Sequence, residues 1–557
     1  MTNRSAAACG LFLLAFTHHL ASQTSSPTAA DLVVFGHIWT GDSSRPWVQA
    51  VSVVGDTITA LGDSTWIASA IGPKTRVLAN GKDMVVPGFM DGHVHFLSGG
   101  FQLASVELRD ADSPAEFTRR LKRYAAKLRP GEWILGGDWD HERWPGSPLP
   151  DRSWIDSVTP KNPVFVSRLD GHMALANSAA LKLAGLSRAS RDIPGGTIVR
   201  RPDGEPTGVL KDEAQDPVYA VVPTPSPTQS DAALTRALTW AASHGVTAVA
   251  DVSVPWYEVA ALERAHAKHA LTARVAVFVP LEYWRQLADT VRAKGVGDDW
   301  LRVAGVKGFV DGSLGSTTAL FYEPYNDAPA TKGLMVTPED SLRARIGAAD
   351  SAGLQVAVHA IGERANDLLL EIYDSVAKAH GPRDRRFRIE HAQHLRRQDI
   401  GRLAQSGVIA SMQPYHAIDD GRWAEKRIGP ERIKTTYAFR SLLDAGAHLA
   451  FGSDWTVAPL DPVLGIYAAV TRRTLDGKHP EGWVPQEKIT VEEALRAYTM
   501  GNAYGVFAEK TRGRLVPGYK ADLVLLDRDL TAIPPEEIEQ AKVRATIVGG
   551  RVVFSSR

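Results

Sequence analysis

Cysteine is nearly absent from this sequence: Cys9 is the one example in 557 residues. No intramolecular disulfide can form. Because Cys9 sits in an apolar stretch near the N-terminus, a chain processed there would carry no thiol, which is compatible with an oxidising compartment without requiring one. Charge of one sign is also missing, since Lys plus Arg and Asp plus Glu each number 63. No global field therefore recommends nucleic acid or anionic lipid as a partner. Beyond the N-terminus no apolar run reaches the roughly 20 residues of a membrane-spanning helix, so no stable membrane insertion is expected.

What is present begins with Arg4 and a nearly all-apolar stretch from Ala6 to Phe16, followed by Ser, Thr, Pro and Ala. That pattern predicts a cleavable secretory signal rather than a membrane span, with residues 1–30 as signal and flexible start and a secreted or periplasmic location. Short strands with tight turns follow at 32–35, 50–58 and 76–78, and the same texture returns at 521–527 and 543–554. Neither end makes a sound domain alone. Together, 31–87 and 506–557 predict one small β-sandwich assembled from both termini.

Between them, strands alternate with helices. Apolar runs at 84–90, 245–251, 273–279, 303–307, 354–359, 387–391, 408–412 and 447–454 count to eight, and polar residues recur at their C-terminal ends. Eight strand-helix units predict an α/β fold, a (β/α)8 TIM-like barrel over 88–505, whose active site would lie at that rim. The gap after the first strand is too long for an ordinary crossover, so an inserted lid is expected at about 130–228.

His93 and His95 close the first run one residue apart, and alternate residues of a strand leave the same face. His359 and His391 end two later runs and would project into the same mouth. Neutral imidazoles suit Zn²⁺ and neighbouring transition metals, whereas calcium or magnesium would demand mostly oxygen ligands. Asp454 ends the last run, where a carboxylate can take the proton of metal-activated water and can also touch the metal. Lys307 is the odd member: an ammonium is no metal ligand, so it either contacts substrate or is chemically changed. His394, out of phase with His391, is a candidate support for the ligand shell.

The segments at 87–95, Lys307 with 311–316, 359–367, 388–393 and 452–455 strongly resemble the amidohydrolase superfamily. The resemblance is closest to its amidohydrolase-3 branch of YtcJ-like proteins, which includes N-substituted formamide deformylases, and it spans nearly the whole chain after Asp31. It implies a distorted (β/α)8 barrel with a β-sandwich from both ends. His93 and His95 would bind the more buried metal, His359 with His391 the more exposed one, and Lys307 would hold the position of a carboxylated lysine bridging two metals. One or two ions are compatible with the resemblance. Asp454 would match the catalytic aspartate. The branch also shows Asp-Gly-His followed by Asn in its insertion, here Asp170-Gly171-His172 and Asn177, which makes His172 a candidate mouth residue.

The expected activity is hydrolysis of a carbon-nitrogen bond in a small non-peptide amide, N-acyl or N-formyl compound, without an organic cofactor. His172 or His359 would help hold the oxyanion. A cyclic amidase or deaminase, and a lactonase or phosphotriesterase on the same metal core, are the alternatives. Trp139, Trp144, Tyr415 and Trp455, with His416 and Trp423, either form an aromatic substrate pocket or pack the lid. Homo-oligomerisation is left open by the sequence.

Overall fold

The computed structural model describes residues 28–556. Residues 1–27 of the expected signal and flexible start, Cys9 among them, lie outside the described residues, and Ala30 is already packed in the terminal sheet. Eight parallel strands form the barrel: Phe89–Val94, Val246–Val252, Arg274–Pro280, Leu301–Phe309, Gln355–Ala360, Arg388–His391, Ile409–Met412 and His448–Phe451. They pair in chain order, and a parallel bridge between Val94 and Trp455 brings the last strand back to the first. Buried on both faces, such strands are written as nearly continuous apolar runs, which is why they stand out in the sequence.

The first strand departs from expectation. The run at 84–90 straddles two elements: Arg76–Pro87 belongs to the terminal sheet, and the barrel strand begins at Phe89. Gly88 is the joint. A Cβ there would lie 2.3 Å from Thr247 Oγ1, so only glycine lets the chain pass this close to the second barrel strand.

The terminal strands form one continuous mixed sheet of seven, ordered Arg551–Ser555, Val543–Val548, Leu523–Leu526, Arg76–Pro87, Leu32–Trp39, Trp47–Val54 and Thr57–Gly62. Alternation sends Leu32, Val34 and Ile38 into one core, with Leu523 and Ile547, while Val33 meets Ile67 and Ala70 on the other face.

After the first barrel strand, the inserted region builds a second sheet of five strands, ordered Ile134–Trp139, Val164–Arg168, Met173–Ala176, Pro206–Asp212 and Gly196–Arg200, over its own apolar cluster. The chain leaves it through Ser226, which caps the helix Pro227–Ser243 in a reciprocal box with Gln229. That helix buries Ala233, Leu234, Ala237, Leu238 and Ala241 on the face that covers the barrel.

Candidate metal centre and its cavity

Three side chains from distant parts of the chain meet at the C-terminal rim of the barrel. His93 from the first strand, His391 from the sixth and Asp454 just beyond the eighth each offer a ligand atom, all within 4.8 Å of one another. His93 Nε2 is 3.4 Å and His95 Nε2 3.2 Å from Asp454 Oδ1. His95 reaches the group from the position just before the helix Phe96–Gln102, whose first amide donates to Asp251 Oδ1. His391 and Asp454 have φ of 77° and 57°, left-handed backbone in non-glycine residues. Strain of this kind persists where the surroundings over-determine it. Here Asp454 N–H donates to the His93 carbonyl at 2.7 Å, tying the last strand to the first.

Each imidazole is held by a hydrogen bond from its Nδ1. His93 Nδ1 donates to Glu390 Oε2 at 2.6 Å, which leaves its Nε2 for the centre, and His391 Nδ1, 4.0 Å from Asp454 Oδ2, donates to Gln413 Oε1 at 2.8 Å. Glu390 is in turn gripped by Arg388, at 2.7 Å to Oε1 and 3.2 Å to Oε2, and Arg388 also donates to the Gly92 carbonyl and Ser411. Burial alone would raise the Glu390 pKa, but Arg388 and His93 overcome it and hold the carboxylate ionised. Burial pushes the His93 and His391 pKa values down, against the pull of Asp454. Asp454 is kept well below the usual carboxylate range because His93, His95 and His391 outweigh its burial.

Buried polar atoms ordinarily have partners, yet His93 Nε2 and Asp454 Oδ1 have none. An imidazole nitrogen and an ionised carboxylate oxygen, facing each other unsatisfied with His391 beside them, form a donor set that fits a divalent transition metal.

The other residues singled out from the sequence fall around this group. His359, on the fifth strand, packs its ring 4.5 Å from that of His391, and its Nε2 donates to the Gly312 carbonyl at 3.0 Å. It stands beside the three-residue cluster, not within it. Lys307, on the fourth strand, is buried with Nζ 4.3 Å above the Phe309 ring, and burial pulls its pKa down to about 8. His172 comes from the inserted sheet to lie 4.9 Å, ring to ring, from His359, with Nδ1 donating to Asp212 at 2.6 Å. Burial opposes its protonation, but Asp212, with Asp170 and Asp311 nearby, raises its pKa overall. His394 turns away, bonding Thr436 and packing on Phe321.

A cavity of about 540 Å³ opens over the centre, lined by His172, His359, His391 and Asp454 and, farther out, by Arg168, His416, Asp420, Arg422 and Trp423. Trp139 and Trp144 do not line it. Stacked on one another 6.0 Å apart, with indole N–H groups on the Val166 and Ala111 carbonyls, they fill the core of the inserted region. Trp455 is buried against Phe96 and Gly99, and Tyr415 also lies off the cavity wall.

Glu390, Arg388, Gln413 and Asp212 received no role from the sequence. A carboxylate 297 positions from the histidine it orients leaves no local periodicity.

The sequence pattern of the amidohydrolase family matches residues 79–554. Protein LONG AFTER FAR-RED 3 of Arabidopsis thaliana is 42% identical, covering 94% of this chain and 92% of its own. The N-substituted formamide deformylase of Arthrobacter pascens is 27% identical, covering 93% and 97%. An uncharacterized metal-dependent hydrolase from Pyrococcus horikoshii superposes with a TM-score of 0.74 at 30% identity, covering 91% of this chain and 99% of its own. With these likenesses joined to the barrel and to the His93, His391 and Asp454 cluster, the chain belongs to the amidohydrolase family and is a metal-dependent hydrolase of carbon-nitrogen bonds.

Proposed function

We propose that this enzyme cleaves a small N-formyl or N-acyl amide with Zn²⁺ held by His93, His95, His391 and Asp454. The unsatisfied, facing pair His93 Nε2 and Asp454 Oδ1 carries the reading. A bound ion there would polarise the scissile carbonyl and make water acidic enough to ionise near neutral pH. Asp454, ionised, accepts the proton of the attacking water and returns it to the leaving nitrogen. His172, fixed by Asp212 with Nε2 toward the cavity, donates to the carbonyl oxygen as negative charge develops on it. Arg168, from the inserted sheet, forms part of the outer wall.

Lys307 is proposed to be carboxylated: its amine nitrogen, uncharged more readily because of burial, bonds to carbon dioxide and releases a proton, giving an anion suited to a second ion with His359. Secretion through the N-terminal segment completes the proposal.

A preparation with defined zinc content, assayed by mass spectrometry on matched N-formyl, N-acyl, aryl amide, cyclic imide, ester and phosphotriester compounds, tests it. Release of amine from the open-chain amides, lost on chelation and restored by zinc, is expected. Turnover confined to the ester and phosphotriester arms, or to ring substrates, would replace the open-chain amide assignment. Two zinc ions per chain with bicarbonate present and one after its removal is the expected signature of carboxylated Lys307.

A further inference from the structure

We propose that the amide substrate carries a second, protonated amine, seated against His416 and Asp420. This rests on the hydrolase reading above and names the class of amide. His416 and Asp420 are four positions apart on the helix Pro414–Asp420 that follows the seventh barrel strand, so they share one helical face, and both line the cavity.

Charge in the outer wall is unbalanced. Besides Asp454, the wall has four acidic side chains, Asp140, Asp170, Asp419 and Asp420, against two guanidinium groups, Arg168 and Arg422, and burial with the neighbouring Asp419 pushes the Asp420 pKa up to about 7, as for a carboxyl that lacks a cation of its own. Both cations are committed. Arg168 is 2.7 Å from Asp170 and 3.3 Å from Asp140, while Arg422 pairs with Asp140 at 3.2 Å and with Asp419. His172 is already paired with Asp212.

Asp420 is left with neutral donors alone: Tyr437 Oη at 2.6 Å and Gln393 Nε2 at 2.9 Å, both on Oδ2. Its Oδ1 has no hydrogen-bond partner among the described residues. On the same helical face, the buried Nε2 of His416 is also without a partner. An ammonium group supplies several donors and one positive charge, which is what an unpaired carboxylate oxygen and a neutral imidazole nitrogen lack. An anionic substrate such as an N-acyl amino acid would meet repulsion from the same wall.

Two uncleavable probes separate this inference from the hydrolase reading: N-(4-aminobutyl)methanesulfonamide and its neutral isostere N-pentylmethanesulfonamide, titrated calorimetrically into the zinc-loaded full chain. The cationic probe is expected to bind at least about tenfold more tightly, the scale of one charge-assisted hydrogen bond. The ratio should fall below about threefold in Asp420→Asn and, independently, decrease in His416→Gln. Equal binding of the two probes, or a ratio unchanged in both variants, overturns the inference. The matched acetamides are assayed in parallel. Cationic preference in binding without cleavage of either acetamide would defeat the amide reading and leave the inference standing; cleavage of both with no preference would do the reverse.

Discussion

Asp454 does its work from a backbone conformation that disfavours it. At φ 57° the residue turns out of the eighth strand and points its carboxylate back over the first, where three histidines keep it ionised. In Asp454→Asn an oxygen remains to face the metal but the proton acceptor is gone. Turnover should fall by about 10²- to 10⁴-fold with zinc content near that of the parent by atomic emission; undiminished turnover would remove Asp454 from proton transfer. Glu390 acts one step behind. Glu390→Gln keeps an oxygen for His93 Nδ1 but strips the charge that Arg388 balances, so His93 loses its fixed aim. Zinc affinity by chelator competition should drop by about ten- to a hundredfold, and an unchanged affinity would show that Glu390 does not orient the ligand.

At the scale of elements, the inserted sheet has a pH dependence of its own. Asp138, in its first strand, is buried, and although Arg109 and Gln102 oppose the effect, burial raises its pKa from 3.8 to about 6. The folded state then holds this proton more tightly than the unfolded chain, so the group costs stability progressively as pH rises from about 4 to about 6 and stays costly above. Asp138→Asn should therefore gain stability over the parent at pH 7 relative to pH 4, on the order of 2 kcal/mol, read from urea unfolding at the two values; an equal difference at both would refute the cause. The barrel strands were legible because parallel strands covered on both faces are plain apolar runs, and their terminal His93, His359, His391 and Asp454 mark where each run ends. The junction at Gly88 was not, since an apolar run does not announce a change of sheet. Nor could aromatic character say which side of the lid Trp139 and Trp144 face, because a core and a pocket ask for the same side chains.

The molecule as a whole is held across its parts by a few buried charges. Arg274, at the start of the third barrel strand, donates to both oxygens of Asp522 at 2.8 and 3.0 Å, and Asp522 also accepts from Gly549 N–H, so barrel and terminal sheet share one ion pair. Asp522→Ala would strand a buried guanidinium and should cost about 3–5 kcal/mol, seen as a lower unfolding midpoint; a loss within experimental error would show that Arg274 finds another partner. The position of Arg76–Pro87 in the middle of the terminal sheet, between Leu32–Trp39 and Leu523–Leu526, has a temporal consequence. During synthesis the strand leading into the first barrel strand emerges early with one edge unpaired, and that edge waits for nearly the entire polypeptide before its neighbour leaves the ribosome. A nascent chain arrested short of Leu523 would carry that open edge throughout the pause, and it is there that a chaperone would have most reason to bind.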